Sequence, residues 1–515
     1  MAIGVQAKAK RQLITQDELR GPRITWFIEI DAYKQNPQKQ IYEKREGGIG
    51  VASTESHKSF HGIAARLDRM PISGFHMKIM WLLAGITFCD SVDMSVGGPI
   101  GAVLQTEGFM TLEQFAFFNS VTMIGYLIGG LMSGWVSDGF GRKKAVVVCG
   151  GIFTIACFVA STSPNADFLT ACRFFMGIGL GAAFPAGYSA LTEYTPPHKR
   201  GKYQSYVGLI ANCGTLFGSV MNLIILPLAG WREVFVFCGI LGALCVILVL
   251  TCMDESPRWL ALNGRNDEAD AIVSKLEAKA VANGKVIEDI TDEEIQRREQ
   301  EQEIKQLPWS FLFKKNMITR TLTAMFLCFV MNVIVYTVIT WTPTILVAKG
   351  LDTSLSTLVT VVMQMGIPIG VGLLTFYVEK VNRKVILIGS YLAVAILGPV
   401  WSMLPVDNVP LIMGFGLLVC VFTFTNSVTT SAIYLSEPFP TACRIRGAGV
   451  ANAFGRLGGI FSPMWIAFFV ASPIGTTGAY LINSALVIVM AIWLAIFGVE
   501  TRGRTLEEIT KGLED

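Results

Sequence analysis

The chain has 515 residues, of which 52% are hydrophobic and 16% are charged. With a mean hydropathy of +0.51 it is too apolar for an ordinary soluble globular protein. The net charge of +3 comes from basic residues distributed over loops between apolar runs, so it indicates no nucleic-acid-binding surface. The eleven cysteines lack ligand-like spacing and predict neither a disulfide framework nor a metal site, and no pattern of nucleophile and base indicates an enzyme or a cofactor.

Residues 1–75 are polar and charged and contain no long apolar run. We expect a cytoplasmic N-terminal arm, either a flexible tail or the product of an over-long translation start, with a regulatory extension as the alternative. Ordered structure is expected to begin near Arg66-Leu67-Asp68-Arg69-Met70-Pro71, as a short interfacial helix.

Twelve apolar runs follow, each long enough to cross the hydrocarbon core of a bilayer as an α-helix. They cover about 79–100, 114–136, 145–162, 166–191, 204–228, 233–252, 319–345, 355–378, 385–404, 409–434, 448–470 and 478–498. The prediction is an all-α integral membrane protein with a six-plus-six arrangement. Its domains would be 76–253 and 319–499, joined by a cytoplasmic linker at 254–318 and followed by a cytoplasmic tail at 500–515.

Alternate loops differ strongly in basic residues, which sets the expected orientation because cytoplasmic loops are enriched in Lys and Arg. The loops predicted to be cytoplasmic hold Arg142, Lys143, Lys144, Lys199, Arg200, Lys202, Lys380, Arg383, Lys384, Arg444 and Arg446. The opposite loops hold only Arg232 and Lys349 at their edges. Both termini should therefore be cytoplasmic, and the absence of an Asn-x-Ser/Thr acceptor favours a bacterial inner membrane.

The stretch Gly134 to Lys144 (GWVSDGFGRKK) is a charged hairpin between the second and third predicted membrane helices. Asp138 at the end of one helix can pair with the cations that begin the next, while Gly134 and Gly141 allow close helix approach and a sharp bend. About 241 residues later, Glu379-Lys380-Val381-Asn382-Arg383-Lys384 repeats the acid, the turn former and the two cations.

Two further landmarks repeat at a similar interval of roughly 241 to 245 residues, which indicates two similar halves. Glu193-Tyr194-Thr195-Pro196 with Arg200 corresponds to Glu437-Pro438-Phe439-Pro440 with Arg444. The segment 254–260 corresponds to 500–504. We expect these elements to act as conformational latches, and the predicted latch residues are Gly134, Asp138, Gly141, Arg142, Lys143, Glu193, Arg200, Glu379, Arg383, Glu437 and Arg444.

The linker 254–318 is the most charged loop of the chain. The segments 264–269 and 293–299 are predicted to form short amphipathic helices on the cytoplasmic surface. They would join the two halves and latch them in the outward-facing state, and a solvated linker is the alternative.

Charged residues away from the edges of the predicted membrane helices are few: Asp90, Asp93, Arg173 and Arg456. Each costs about 2.5–3.5 kcal/mol to place at the bilayer centre, so each is a functional candidate. Asp93 and Arg173 lie at depths that allow a pair, which would either couple protons by releasing the carboxylate or only fix two helices together. Asp90 shares a helix face with Asp93 and is included in the predicted coupling group.

Arg456 has no acidic residue at comparable depth in the second half. Its guanidinium could bind an anionic substrate as a bidentate fork, or pair with Asp90 across the halves. Further polar or aromatic residues at midplane depth are candidates for lining the substrate site, although helix packing would explain each equally well. They are Asn212, Tyr336, Trp341, Gln364 and Asn426.

Over roughly residues 66 to 512 the chain resembles the major facilitator superfamily of secondary transporters. The hairpin at Asp138–Lys143, the run Arg173–Gly181, Glu-Ser-Pro-Arg-Trp-Leu at 255–260 and the segment 500–508 look like those of sugar porters and metabolite:proton symporters. The resemblance implies that Asp93 and Arg173 form a protonation switch and that Arg456 takes substrate charge. The Asp-x-x-Asp of the first helix is more like aromatic-acid and nicotinate-type symporters.

Two departures narrow the prediction. The paired Gln residues of sugar porters are absent from the seventh helix, which has Phe329-Val330-Met331-Asn332, and the Pro of drug antiporters is absent from the fifth. We therefore expect a monomeric symporter that imports a small carboxylated metabolite, with an aromatic acid as one candidate, together with protons by alternating access. A sugar or polyol symporter and a non-transporting membrane sensor are the alternatives.

Overall fold

The computed structural model describes residues 60–287, 309–314, 317–378, 380–435, 437–440 and 443–501. The regular secondary structure of these residues is helical. In chain order the helices are α1 (Phe60–Asp68), α2 (Gly74–Thr106), α3 (Leu112–Phe140), α4 (Arg142–Ser161), α5 (Ala166–Tyr194), α6 (Pro197–Leu228), α7 (Trp231–Cys252), α8 (Pro257–Leu262), α9 (Asn266–Ala282), α10 (Ile318–Ala348), α11 (Thr353–Tyr377), α12 (Arg383–Met403), α13 (Val409–Tyr434), α14 (Arg444–Ala471) and α15 (Gly475–Phe497), and a short 3₁₀ helix, Trp309–Phe313, precedes α10.

Twelve of these helices are long and apolar enough to cross a membrane, and all twelve predicted spans are confirmed. The first half contains α2–α7 and the second half contains α10–α15. Several helices extend beyond the predicted runs because backbone hydrogen bonding continues through polar end residues. For example, Thr111 and Gln114 form a capping box at the start of α3, and Pro197 occupies the first turn of α6.

Small residues allow the helices of each half to approach closely. A Cβ atom at Gly177 of α5 would collide with the carbonyl of Thr122 on α3, and one at Gly181 would collide with that of Tyr126. Gly177 and Gly181 therefore let α5 pack directly on the backbone of α3. Such contacts supply the van der Waals packing that holds membrane helices together.

We call the end of the bundle where α3 joins α4 the latch end, and the other end the far end. Cross-half packing is tight toward the far end, where a Cβ at Gly98 of α2 would lie 2.5 Å from the carbonyl oxygen of Thr340 on α10. Nearby, the ring centroids of Phe115 and Trp341 are 5.4 Å apart. Closer to the middle, Ser120 donates to the carbonyl of Ile460 at 2.8 Å. The far end is closed in this structure.

Two membrane helices of the second half are irregular. Thr337–Trp341 in α10 and Thr429–Tyr434 in α13 are π-helical turns. Such insertions often occur at functional sites, because they rotate the following side chains relative to the rest of the helix.

At the latch end, α1 packs on the linker helices α8 and α9. The described part of the chain begins at Phe60, which is already the first residue of α1, so the prediction of a helix starting at Arg66 is wrong, and α1 contacts protein helices through Ile63 and Leu67. The rest of the predicted N-terminal arm, residues 1–59, lies outside the described residues. The helix predicted at 264–269 extends to Ala282, and the one predicted at 293–299 lies outside the described residues.

Candidate substrate site and latches

A buried ion pair lies in the middle of the first half. Nη1 of Arg173 on α5 donates to Oδ1 of Asp93 on α2 at 2.6 Å, with 4% and 1% of the two side chains exposed. The Arg173 guanidinium also lies 5.2 Å from the ring centroid of Phe118. The second carboxylate oxygen of Asp93, Oδ2, is also buried and has no hydrogen-bond partner among the described residues.

Asp90 lies one helical turn closer to the latch end and does not join this pair. Its carboxylate accepts a 2.7 Å hydrogen bond from the hydroxyl of Tyr126 on α3. Sharing a helix face with Asp93 is thus insufficient to bring both carboxylates to one guanidinium.

Arg456 on α14 faces the first half across the centre of the bundle. Its Nη1 donates to the hydroxyl of Tyr336 at 3.4 Å, and its guanidinium carbon lies 5.8 Å from the ring centroid of Tyr126. Among the described residues no carboxylate lies within the 4.0 Å of an ion pair, so the predicted direct pair with Asp90 is not formed. Tyr126 stands between them instead.

A narrow pocket lies between the halves, next to the ion pair and to Tyr126 and Tyr336, which contact Arg456; Arg456 itself does not border it. It is bordered by residues of α2, α3, α5, α10 and α14: Asp93, Met94, Gly97, Asn119, Met123, Tyr126, Arg173, Tyr336, Thr340, Gly459 and Pro463. Three polar residues that border the pocket, Asn119, Tyr126 and Thr340, were not predicted from the sequence. A hydroxyl or amide at midplane depth was the available signal, but only helix rotation decides which of these face the centre.

Four predicted lining residues are not among those bordering this pocket. Asn212 donates to the carbonyl of Gly208 in its own helix at 2.8 Å, and Trp341 is fully buried against Phe115. Asn426 donates to Ser390 at 3.0 Å inside the second half.

Gln364, the fourth of these residues, accepts a 2.6 Å hydrogen bond from Ser219. This bond joins α11 to α6 across the halves. Gln364 therefore contributes to the interface between the halves and does not line the pocket.

The latch of the first half is a chain of polar contacts. Arg142 binds Asp138 in the hairpin and Glu193 at the end of α5, each at 2.7 Å. Glu193 also accepts from Ser256, and Glu255 accepts from the backbone N–H of Lys143 at 3.0 Å.

The second half repeats this arrangement. Arg383 binds Glu437, and Thr501 donates to Glu437 at 2.5 Å. Glu500 accepts from the backbone N–H groups of Arg383 and Lys384 at 3.1 and 3.2 Å. The sequence repeat thus corresponds to equivalent contacts in the two halves.

Glu193 pairs with Arg142, which the hairpin directs toward the end of α5. One latch prediction needs correction. A Cβ atom added to Gly134 would meet no heavy atom within 4 Å, so no close helix approach depends on this glycine. Glu379 and the side chain of Arg444 lie outside the described residues.

Gly141 does require glycine. Its φ is +97°, and a Cβ there would overlap the Glu255 carboxylate. Glycine at position 141 therefore permits both the bend between α3 and α4 and the packing of Glu255 against that bend.

Known transport proteins are similar to this chain over most of its length. An inner membrane metabolite transport protein of Escherichia coli is 32% identical over 88% of this chain and 99% of its own. The niacin transporter of Acinetobacter baylyi is 28% identical over 87% of this chain and 99% of its own. The 4-hydroxybenzoate transporter of the same organism is 26% identical over 82% and 91%.

Among solved structures, the xylose transporter of Escherichia coli in a partially occluded inward open conformation superposes with a TM-score of 0.68. It is 20% identical, and the match covers 84% of this chain and 100% of that one, so it establishes the shared fold. Residues 91–513 match the family model described as sugar (and other) transporter. The protein is therefore a multi-pass membrane transporter that belongs to the sugar (and other) transporter family.

Proposed function

We propose that the protein is a proton-coupled symporter that imports a small carboxylated, aromatic metabolite by alternating access. The latch end faces the cytoplasm in this proposal, with both termini on that side of a bacterial inner membrane, and the transporter acts as a monomer. The basic residues of the latch-end loops support the orientation.

Arg456 is the single observation that carries the proposal. It is a guanidinium in the middle of the membrane, and in the described part of the chain it has a tyrosine hydroxyl as its neighbour in place of a carboxylate. A charge in this position is costly unless compensated. A substrate carboxylate would compensate it through two parallel hydrogen bonds.

The surroundings of Arg456 favour an aromatic acid. The rings of Tyr126 and Tyr336 flank the guanidinium from opposite halves, and Met123 borders the same pocket. Aromatic and thioether groups pack well on a flat ring. Niacin and 4-hydroxybenzoate, the substrates in the names of two relatives, combine such a ring with one carboxylate.

The pair of Asp93 and Arg173 would couple transport to protons. One oxygen of Asp93 is bound by Arg173, and the other has no partner among the described residues. If Arg173 moves away during the cycle, the carboxylate becomes an isolated buried charge, and binding a proton neutralises it. Reforming the pair expels the proton.

The closed far end supports alternating access. Ser219 and Gln364 join the halves near the middle of the bundle, while the latch contacts of Arg142 and Arg383 each stay within one half. Rocking of one half against the other would open the far end by breaking the contacts between the halves, while the latch contacts within each half are preserved.

The test is uptake into proteoliposomes of labelled niacin, 4-hydroxybenzoate and xylose, with and without an inward proton gradient. We expect gradient-driven uptake of an acid by the wild type. Arg456→Gln should lose uptake, and Asp93→Asn should lose the response to the gradient. Arg265→Gln, which removes a guanidinium exposed on the linker just before α9, is the matched control and should behave like the wild type.

Xylose uptake that is indifferent to Arg456→Gln would replace the proposal with a sugar symporter. No uptake of any of the three compounds would favour a membrane sensor.

A further inference from the structure

Helix α1 covers the linker helices with an apolar surface. Ile63 and Leu67 are fully buried against Trp259 and Leu260 of α8 and Val273 of α9. Helices as short as α1 and α8, with nine and six residues, are unstable alone in water. Their structure therefore depends on these mutual contacts.

Arg66 lies at the centre of this contact, with 7% of its side chain exposed. Its guanidinium binds Asp270 at 2.5 Å, Ser274 at 2.9 Å and both oxygens of Glu277 at 2.8 and 3.2 Å. The three partners lie on one face of α9. Burial lowers the pKa of Arg66, but Glu277 and Asp270 raise it by more, so the guanidinium stays charged.

Neighbouring ion pairs extend the contact on both sides. Arg69 binds Glu277 at 2.9 Å, and Arg258 of α8 binds Asp68 of α1 at 2.5 Å. Helix α1 and the residue that follows it are thus joined by ion pairs to both linker helices.

The linker helices in turn contact the hairpin of the first latch. Nε1 of Trp259 donates to the carbonyl oxygen of Asp138 at 2.8 Å. Immediately before α8, Glu255 accepts from the N–H of Lys143, and Ser256 donates to Glu193. A continuous series of contacts therefore runs from Arg66 through α9 and α8 to the hairpin.

We propose that Arg66 is a positioning residue for the first latch. It fixes α9 and α8 so that Trp259 and Glu255 hold the hairpin in the geometry that lets Arg142 bind Glu193. This role does not depend on the identity of the substrate, and it gives the segment before the first membrane helix a part in the transport cycle.

Hydrogen–deuterium exchange of the purified full-length protein, without substrate, tests this inference. Arg66→Gln should accelerate exchange of the hairpin amides 139–144 by roughly tenfold, as well as exchange in α9, because the hairpin loses its support. Arg66→Lys should have an intermediate effect, since lysine keeps the charge but lacks the planar fork that binds both oxygens of Glu277.

Arg265→Gln is the matched control. It removes an arginine next to the same helix whose pair with Glu268 is 44% and 57% exposed, and exchange in the hairpin should match the wild type. Faster exchange in α1 and α9 with an unchanged hairpin in Arg66→Gln would overturn the inference, because Arg66 would then stabilise only its own contact. If Arg66→Gln does not elute as a monodisperse protein, Glu277→Gln gives the same test.

Discussion

The substitution Asp93→Asn removes one charge of the central ion pair while keeping the shape of the side chain. In the structure the Asp93 side chain is 1% exposed, and its Oδ1 lies 2.6 Å from Nη1 of Arg173. After the substitution the guanidinium remains buried without a compensating charge. The free energy of unfolding should therefore fall considerably, although the substitution replaces only one oxygen by an amide nitrogen.

The magnitude follows from burial. Breaking a buried pair by removing one partner costs about 3–5 kcal/mol. The amide oxygen of the new side chain can still accept a hydrogen bond from Arg173, which returns about 1 kcal/mol. A loss of about 2–4 kcal/mol remains, equivalent to a fall of roughly 4–8 °C in the apparent melting temperature at about 2 °C per kcal/mol.

Thermal unfolding of the detergent-purified protein, followed by intrinsic fluorescence, measures this shift. Asp138→Asn is the control, because Asp138 also pairs with an arginine but is 75% exposed, and such pairs contribute about 0–1 kcal/mol. The double variant Asp93→Asn with Arg173→Gln should recover much of the loss. Equal melting temperatures for Asp93→Asn and Asp138→Asn would refute the reasoning.

Three further substitutions test other parts of the account. Gly141→Ala should lower the free energy of unfolding by about 1–3 kcal/mol, because it forces a side chain into a positive φ, while Gly134→Ala should be neutral; chemical denaturation compares the two, and equal effects would contradict the structure. Tyr126→Phe removes the hydroxyl that binds Asp90 and should weaken niacin binding by about 3- to 10-fold in calorimetry, whereas unchanged affinity would place the substrate elsewhere. Ser219→Ala removes a hydrogen bond across the halves worth about 1 kcal/mol, so spin-label distances across the far end should show about fivefold more of the open population, and no shift would mean that this bond does not hold the end closed.

The membrane helices could be predicted from the sequence because the bilayer imposes a minimum apolar length on each of them. The pairing of Asp93 with Arg173 was also accessible, since charges within a membrane are rare and need a partner at similar depth. The repeat also identified the latches. Glu255 and Glu500 lie in repeated segments, and each binds backbone N–H groups of the hairpin in its own half.

Contacts that depend on helix rotation were not accessible. Asn119 and Tyr126 resemble the other polar residues of membrane helices, and only the packing of α3 against α5 and α14 turns them toward the centre. The pairing of Glu193 with Arg142 was not predicted, because it depends on the bend at Gly141.

The first residues of helix α1 were not predicted because the helix is short. It has only nine residues, and the partners that stabilise it lie about 200 residues later in the chain. Nothing local to residues 60–68 predicts that Arg66 will be buried.

The central claim is that Arg456 recognises a carboxylate. Niacin and nicotinamide differ by that group alone, so their affinities for the purified protein, measured by calorimetry for the wild type and Arg456→Gln, test it directly. We expect the wild type to bind niacin roughly 10- to 100-fold more tightly than nicotinamide, and Arg456→Gln to bind both equally weakly. Equal affinities of the wild type for the two compounds, or a preference for niacin that survives in Arg456→Gln, would contradict the account.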